Sequence, residues 1–417
     1  MSKAETLSAQ AKELNVEQYR KDFPILDQEV NGKPLAYLDN AATTQKPQQV
    51  IDTLNWYYTQ VNSNVHRGIH SLSQQASEAY EQVRGKLQRF FNAQYKEEMV
   101  FVRGTTEGIN LVAQTHGKQN VKEGDEVLIT GMEHHSNIVP WQMLCEEQGA
   151  TLKVADVTDE GDIDLDDFEA KLSDRTKMVA FIHVSNTLGT VNPARYLVDR
   201  AHAKGAAVLM DGAQAPMHMP VDVQDLDCDF YVMSAHKIFG PTGIGILYGK
   251  YDVLDAMPPY QGGGDMIDTV TFEKTSYNEV PLKLEAGTPN IADTIAFGRA
   301  VEYVEGIGRE AIQSYEKELL EYATAALRSV DGLQVIGQSS DKAAVISFVF
   351  DEIHPQDVGI LLDQEGVAIR TGHHCTQPLM RRYNIPATSR ASFAFYNTKE
   401  EIDQLVKAIH QVKTIFS

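Results

Sequence analysis

Between residues 98 and 250 the chain alternates short apolar runs with longer amphipathic stretches. The runs are MVFV (99–102), EVLIT (126–130), ATLKVADV (150–157), KMVAFIHV (177–184), AAVLMD (206–211), DFYVMS (229–234) and IGILYG (244–249). They are short and rich in β-branched residues, and the turn signals Glu123-Gly124-Asp125 and Lys204-Gly205 stand just before two of them. Unbroken apolar runs of this length read as strands buried on both faces, since a strand with one wet face would alternate. The pattern predicts an α/β unit with a mostly parallel, seven-stranded sheet and helices on both faces. After about residue 295 the texture changes. Two long helical stretches, 294–308 and 309–330, lead to the strands VISFVF (345–350) and GVAIR (366–370). Apolar residues then recur at helical spacing through KEEIDQLVKAIHQVKTIF (399–416). The expected division is a large domain over 34–295 and a smaller α+β domain over 296–417. The polar, helix-like segment 1–33 is expected to pack on the small domain.

Composition agrees with that division. The 417 residues suit two domains at roughly 100–200 residues each. A chain that is 42% hydrophobic and 23% charged is ordinary globular material, which argues against disorder. With 58 acidic against 37 basic residues the net charge is −21, a field that repels phosphate backbones and anionic membranes. No nucleic-acid or membrane partner is expected. No run approaches the roughly 20 apolar residues that span a bilayer, and the polar N-terminus lacks the apolar centre of a signal peptide. Cys145, Cys228 and Cys375 are odd in number and far apart, unlike a disulfide framework. A cytoplasmic protein is expected.

The unusual polar residues fall just after the apolar runs. In open α/β sheets ligands bind beyond the carboxyl ends of the strands. MVFV is followed by Arg103-Gly104-Thr105-Thr106-Glu107-Gly108, a small-residue turn opening a helix. Helix N-termini offer free N–H groups to an anion, although such a turn also serves as an ordinary cap. EVLIT is followed by Glu133-His134-His135, KMVAFIHV by Ser185-Asn186-Thr187, AAVLM by Asp211-Gly212-Ala213-Gln214, and DFYVM by Ser234-Ala235-His236-Lys237. A lone histidine is usually a satisfied core or surface residue, and a lone strand-end Asp is commonly a cap. Five such ends on one sheet edge are hard to assign to packing. The chemistry that needs this set is pyridoxal phosphate catalysis: a lysine for the Schiff base, an Asp for the pyridinium nitrogen, a flat ring neighbour and a hydroxyl-rich phosphate turn. Asp211 and Lys237 are 26 residues apart, one helical crossover, so both can reach one ring.

The runs LDNAATTQKP, NSNVHRGIHSLS, RGTTEGINLVA, MEHHSNIVPWQ, HVSNTLGTVNP, DGAQA, SAHKIFGPTGIGILYG, EAGTPN and RTGHHCTQPLM carry a resemblance. Together they resemble the Suf-type (group II) cysteine desulfurases of the aminotransferase class V family. The likeness covers about residues 20–417, with the motifs in the family's order. It implies the pyridoxal-phosphate-dependent transferase fold of type I, a homodimer and pyridoxal 5'-phosphate as cofactor. Lys237 is then the cofactor-linking lysine and proton carrier, Asp211 the partner of the pyridinium nitrogen, and Gln214 a donor to the phenolic oxygen. His134 stacks on the ring and assists proton transfer. Thr105, Thr106, Ser234 and His236 bind the phosphate, with Thr288 reaching in from a second subunit. Asn186 and Arg390 hold the substrate carboxylate, a group suited to a bidentate arginine. Arg370 and His66 line the entrance, and Cys375 is the nucleophile.

Cys375 follows Arg370-Thr371-Gly372-His373-His374, the most cationic stretch beside any of the three cysteines, and nearby positive charge favours the reactive thiolate. Cys145 stands beside two glutamates and Cys228 lies in DLDCDF, so for both the bland reading holds. Gln261-Gly262-Gly263-Gly264 neither follows a strand nor opens a helix, and Gly240–Gly245 precedes a strand, so neither is a dinucleotide fingerprint. The spacing of His134-His135 and His373-His374-Cys375 matches no closed zinc site, and no metal is expected.

The resemblance implies conversion of L-cysteine to L-alanine, with sulfur held on Cys375 as a persulfide for an acceptor in iron–sulfur cluster assembly. Selenocysteine lyase and cysteine sulfinate desulfinase activity are the alternatives within the same class. A sulfur-delivery scaffold acting by partner binding is the alternative outside it, opposed by the intact Lys237, Asp211 and Cys375. The expected partner is a Suf-type sulfur acceptor. The branch that exchanges zinc with a scaffold partner implies a histidine just before Asp357; here Gln356 stands there, with His354 two residues earlier. That departure puts zinc exchange in doubt.

Overall fold

A computed structural model describes residues 14–416, so the helix-like character expected for residues 1–13 lies outside the described residues. The seven apolar runs form one sheet: β1 (Met99–Val102), β2 (Glu126–Thr130), β3 (Thr151–Ala155), β4 (Thr176–Ile182), β5 (Ala207–Asp211), β6 (Phe230–Ser234) and β7 (Gly245–Gly249). Their spatial order is β1-β7-β6-β5-β4-β2-β3. Strands β2 to β6 pair in parallel, and β7 runs antiparallel to both β1 and β6. β2 and β6 are buried along their whole length, and β4 and β5 all but one residue each, as their largely apolar sequences require. The run 150–157 behaves differently. It pairs only as far as Ala155, and Thr151 and Val154 are exposed, because β3 is the sheet edge.

Long helices cover the sheet. Ser71–Phe91 buries Ala76, Tyr80, Val83, Leu87 and Phe90, spacings of three and four that place one stripe inward. It packs on Ile291–Ile307, where a Cβ on Gly298 would lie 2.8 Å from a Val83 methyl.

The second sheet is antiparallel, in the order β8-β9-β11-β10, from β8 (Leu333–Ile336), β9 (Val345–Phe350), β10 (Arg370–Gly372) and β11 (Thr388–Ser392). The expected strand 366–370 divides in two. Val367–Ala368 pairs in parallel with Ala36–Tyr37, and Arg370–Gly372 joins the second sheet. Near the N-terminus, Arg20 forms a 2.8 Å ion pair with Glu401 of the last helix, and the Asn31 amide donates to the Asp363 carbonyl. Among the described residues no helix is long and apolar enough to cross a membrane.

Candidate active site

The end of β1 turns at Gly104, whose φ of 149° and a Cβ position only 2.9 Å from Ser234 Oγ leave no room for a side chain. The helix Thr105–Val112 starts there. Thr105 N–H donates to Ser234 Oγ at 2.9 Å, and the two hydroxyls lie 3.0 Å apart. The β1 and β6 ends are thus locked into one hydroxyl-rich cradle at a helix N-terminus, a favourable place for an anion.

The β2 end is held by Glu133, a residue to which the sequence assigned no role. Its buried carboxyl accepts from the Thr130 hydroxyl (2.5 Å), Asn137 Nδ2 (2.6 Å) and Ile182 N–H (3.0 Å), and burial pushes its pKa up to about 8. The neighbouring His134 accepts the Ser136 N–H at Nδ1 (3.1 Å), which leaves the ring hydrogen on Nε2. Burial, with the Lys237 charge second, pushes His134 down to about 3, so its ring is neutral near pH 7.

Asp211, at the end of β5, is buried and accepts the Ala213 N–H at 2.9 Å. Burial raises its pKa, against the pull of Lys237. Lys237 sits in a single turn, Ala235–Lys237, just after β6. Burial lowers its amine to about 8; Asp211 opposes that shift, and Arg390 and Arg370 add to it. His236 is pushed down to about 4 by burial and the lysine beside it.

The second sheet brings in the cations. Arg370 and Arg390 are register partners on β10 and β11. Arg390 is 1% exposed, donates through Nη1 to the Asn186 carbonyl (2.8 Å) and through Nη2 to Asp39 Oδ1 (2.9 Å). Cys375 is half-buried on the loop after β10, where His374 and Cys375 both adopt positive φ, 48° and 59°. Arg370 Nη2 lies 3.9 Å from its Sγ. The sequence counted His374 among the cations near the thiol. Burial pushes that histidine down to about 2, and its Nε2 engages Thr388 Oγ1 at 2.8 Å, so it brings no charge. Arg370 supplies the cation at the sulfur. For Cys145 the expected cause of an inert thiol was its glutamates; burial is the cause, pushing it up to about 11. Cys228 is raised by burial first and Asp229 second.

One cavity of about 190 Å³ gathers this set. Thr105, Thr106, Ser234 and His236 line it together with His134, Asp211, Gln214 and Lys237. Asn186, Arg370, His374 and Arg390 complete the wall, and Cys375 adjoins it through Arg370 and His374. Thr288 and His66 lie apart, in a second cavity of about 500 Å³, where His66 Nε2 is 2.9 Å from Glu81 Oε1. A larger cavity, about 810 Å³ along the helix Arg309–Arg328, holds none of these residues.

Four buried polar atoms on residues lining the smaller cavity have no protein partner: Asn186 Oδ1, Gln214 Oε1, His374 Nδ1 and Arg390 Nε. Buried polar groups are almost always paired, so four orphans around one cavity mark the place of a ligand. A buried carboxylate, a free amine and a hydroxyl-lined helix start suit a group with a basic ring nitrogen, an aldehyde and a phosphate. Among the described residues no group of three or more His, Cys, Asp or Glu side chains is placed to hold a metal ion.

The Aminotransferase class-V family profile matches residues 36–405. The chain belongs to the aminotransferase class-V family. Within it, the chain is 55% identical over 407 residues to a cysteine desulfurase of Synechococcus elongatus, covering 98% of this chain and 65% of that protein. It is 52% identical to a cysteine desulfurase of Enterobacter sp., covering 95% and 98% of the two chains. The structure superposes on the cysteine desulfurase CsdA (S-sulfonic acid) of Escherichia coli with a TM-score of 0.89 at 37% identity, covering 96% of this chain and 99% of that one. The fold is therefore that of the pyridoxal-phosphate-dependent transferases of type I, as the sequence implied. Pyridoxal 5'-phosphate is the cofactor of that fold, and the residues in the smaller cavity fit it.

Proposed function

We propose that this family member is a cysteine desulfurase, converting L-cysteine to L-alanine and holding the sulfur on Cys375 as a persulfide. The observation that carries the reading is the meeting of Lys237, Asp211 and Arg390 in one cavity, with the Arg370–Cys375 pair beside it. When bound, pyridoxal 5'-phosphate supplies an electron sink that weakens bonds at the substrate's carbons. Lys237 would link to it and carry protons at Nζ. Asp211 would accept from the ring nitrogen, Gln214 would serve the phenolic oxygen, and the neutral His134 would neighbour the ring. Thr105, Thr106, Ser234 and His236 would hold the phosphate. Arg390, with its unpartnered Nε, and Asn186 hold the substrate carboxylate. Cys375, as thiolate, attacks the substrate sulfur. The Sγ–S bond forms as the Cβ–S bond breaks, the carbon keeps the electron pair, and Lys237 returns a proton to it, so alanine leaves.

The same reading extends to assembly. Thr288 does not line the cavity of its own chain, which supports a homodimer in which each subunit lends Thr288 to its partner's phosphate, with His66 at the entrance. The domain division is 34–295 and 296–417, and the described part of the N-terminal segment, 14–33, belongs with the small domain, as the Arg20–Glu401 and Lys33–Glu365 pairs support. The sulfur goes to a Suf-type acceptor for iron–sulfur cluster assembly in the cytoplasm.

Two variants test the chemistry. Lys237→Ala should lose both alanine formation and the borohydride-fixable cofactor. Cys375→Ser should keep its colour and its spectral response to cysteine, yet give almost no alanine from cysteine. Selenocysteine should still react, because selenium leaves without a protein nucleophile. Alanine from cysteine at the wild-type rate in Cys375→Ser would remove the persulfide role.

A further inference from the structure

Lys46 is a half-buried lysine to which the chemistry above gives no role. No carboxylate lies within ion-pair distance of it among the described residues. Its ammonium points instead at backbone and hydroxyl oxygens. Nζ donates to the Thr44 carbonyl, to the His236 carbonyl at 3.1 Å and towards Thr43 Oγ1 at 3.5 Å. Burial lowers the amine to about 7, the mark of a charge kept out of water without an ion-pair partner. An ammonium so placed gives up part of its hydration, and these oxygens replace it.

Its neighbours converge on the same oxygen. Thr44 N–H reaches the His236 carbonyl at 3.0 Å, and the hydroxyls of Thr43 and Thr44 each lie 3.1 Å from it. Thr44 Oγ1 also accepts the Phe239 N–H at 2.7 Å. That carbonyl belongs to the peptide bond leading into Lys237. The turn that carries Lys237 spans three residues, and the second residue after it, Phe239, takes a left-handed φ of 62°. The turn closes through the Ile238 and Gly240 N–H groups, which both donate to the Ala235 carbonyl at 2.9 Å, whereas the His236 carbonyl takes its donors from outside the turn, from Thr43, Thr44 and Lys46.

We propose that Lys46 is a positioning residue: its ammonium, seated on the His236 and Thr44 carbonyls, fixes the peptide that aims Lys237 into the cavity. The inference rests on the reading of Lys237 as the cofactor-linking lysine. Lys46 touches neither cofactor nor substrate. Its effect passes through one peptide plane, and small misplacements of a reacting group are costly.

The test uses the full-length holoenzyme carrying Lys46→Met, with Lys46→Arg as the conservative variant. In Lys46→Met, kcat should fall about tenfold, while KM for cysteine stays within about twofold of wild type. The pH midpoint of the absorbance band of the cofactor held by Lys237 should move by about half a unit or more. Lys46→Arg should restore both. A merely structural role would lower the unfolding temperature and leave kcat per folded site and the midpoint unchanged, and that result overturns the proposal. If Lys46→Met does not fold, Lys46→Gln is read in the same way, and failure of both to fold also overturns it. Should Lys237→Ala retain a borohydride-fixable cofactor, the reading of Lys237 fails; should Lys237→Ala behave as expected while Lys46→Met matches wild type, only this inference fails.

Discussion

A lysine taken out of water gives up its proton more readily, because the ammonium loses hydration that the neutral amine scarcely needs. Lys237 is in that position, with its amine near 8, where Asp211 pulls it up and Arg390 and Arg370 push it further down. Only the neutral amine attacks an aldehyde. A lowered pKa enlarges the neutral fraction at any pH below it, so capture of cofactor by the cofactor-free protein should speed up as pH rises and level off above about 8. An ordinary surface lysine would still be gaining at pH 10. Rapid-mixing absorbance from pH 6 to 10 reads the curve, and a rate still climbing between 9 and 10 would contradict it. Asp211, His134 and Lys237 are legible in the sequence because each stands at the carboxyl end of a strand or within a few residues of it, where chemistry collects in this class of sheet. Asp39, Glu133 and Lys46 were not singled out. Asp39 meets Arg390 across 351 residues and Lys46 meets His236 across 190, and no local spacing announces a contact of that range.

At the scale of elements, Arg84 shows how one side chain joins a helix to the sheet. It projects from Ser71–Phe91 and pairs through both amino groups with Glu285, at 2.8 and 3.0 Å, in a nearly dry setting. Glu285 also accepts the Phe101 N–H of β1 at 2.7 Å, and the guanidinium lies 4.4 Å from the centre of the Phe101 ring. Arg84→Met leaves the Glu285 charge buried without its partner, which should cost about 3–5 kcal/mol. Denaturant unfolding checks this, and Arg84→Met with Glu285→Gln together should cost less than Arg84→Met alone. A single variant as stable as wild type would show the pair to be dispensable. Strand legibility followed burial at this scale. The seven apolar runs all became strands; the parallel central ones are legible because they are wet on neither face, and the edge strand β3 shows the weaker, partly exposed pattern. β11 was missed for the opposite reason. Its TSRAS sequence is fully buried yet polar, and its side chains are satisfied by distant groups, as where Ser392 Oγ accepts the Ala41 N–H. No apolar pattern marks such a strand.

For the whole molecule, the positions of Thr288 and His66 decide how many chains make a site. A threonine that lines a cavity of about 500 Å³ away from its own Lys237 either has no part in phosphate binding or serves a partner. Thr288→Ala homodimers as active as wild type would show that it has no part; where they are impaired, complementation tells a partner's site from the chain's own. Homodimers of Lys237→Ala lack the amine in both sites, and homodimers of Thr288→Ala lack the partner hydroxyl in both. If Thr288 acts across the interface, a mixed dimer has one doubly impaired site. Its other site pairs an intact Lys237 with an intact Thr288 from the Lys237→Ala chain. Random reassortment makes half the dimers mixed, each with one good site in two, so activity should approach about a quarter of wild type at equal total protein. Co-expression of two differently tagged variants, followed by tandem purification of the mixed dimer, should isolate a species with about half the wild-type activity. If Thr288 instead serves its own chain, no site in the mixed dimer holds both groups intact, and its activity should not exceed the average of the two parent homodimers.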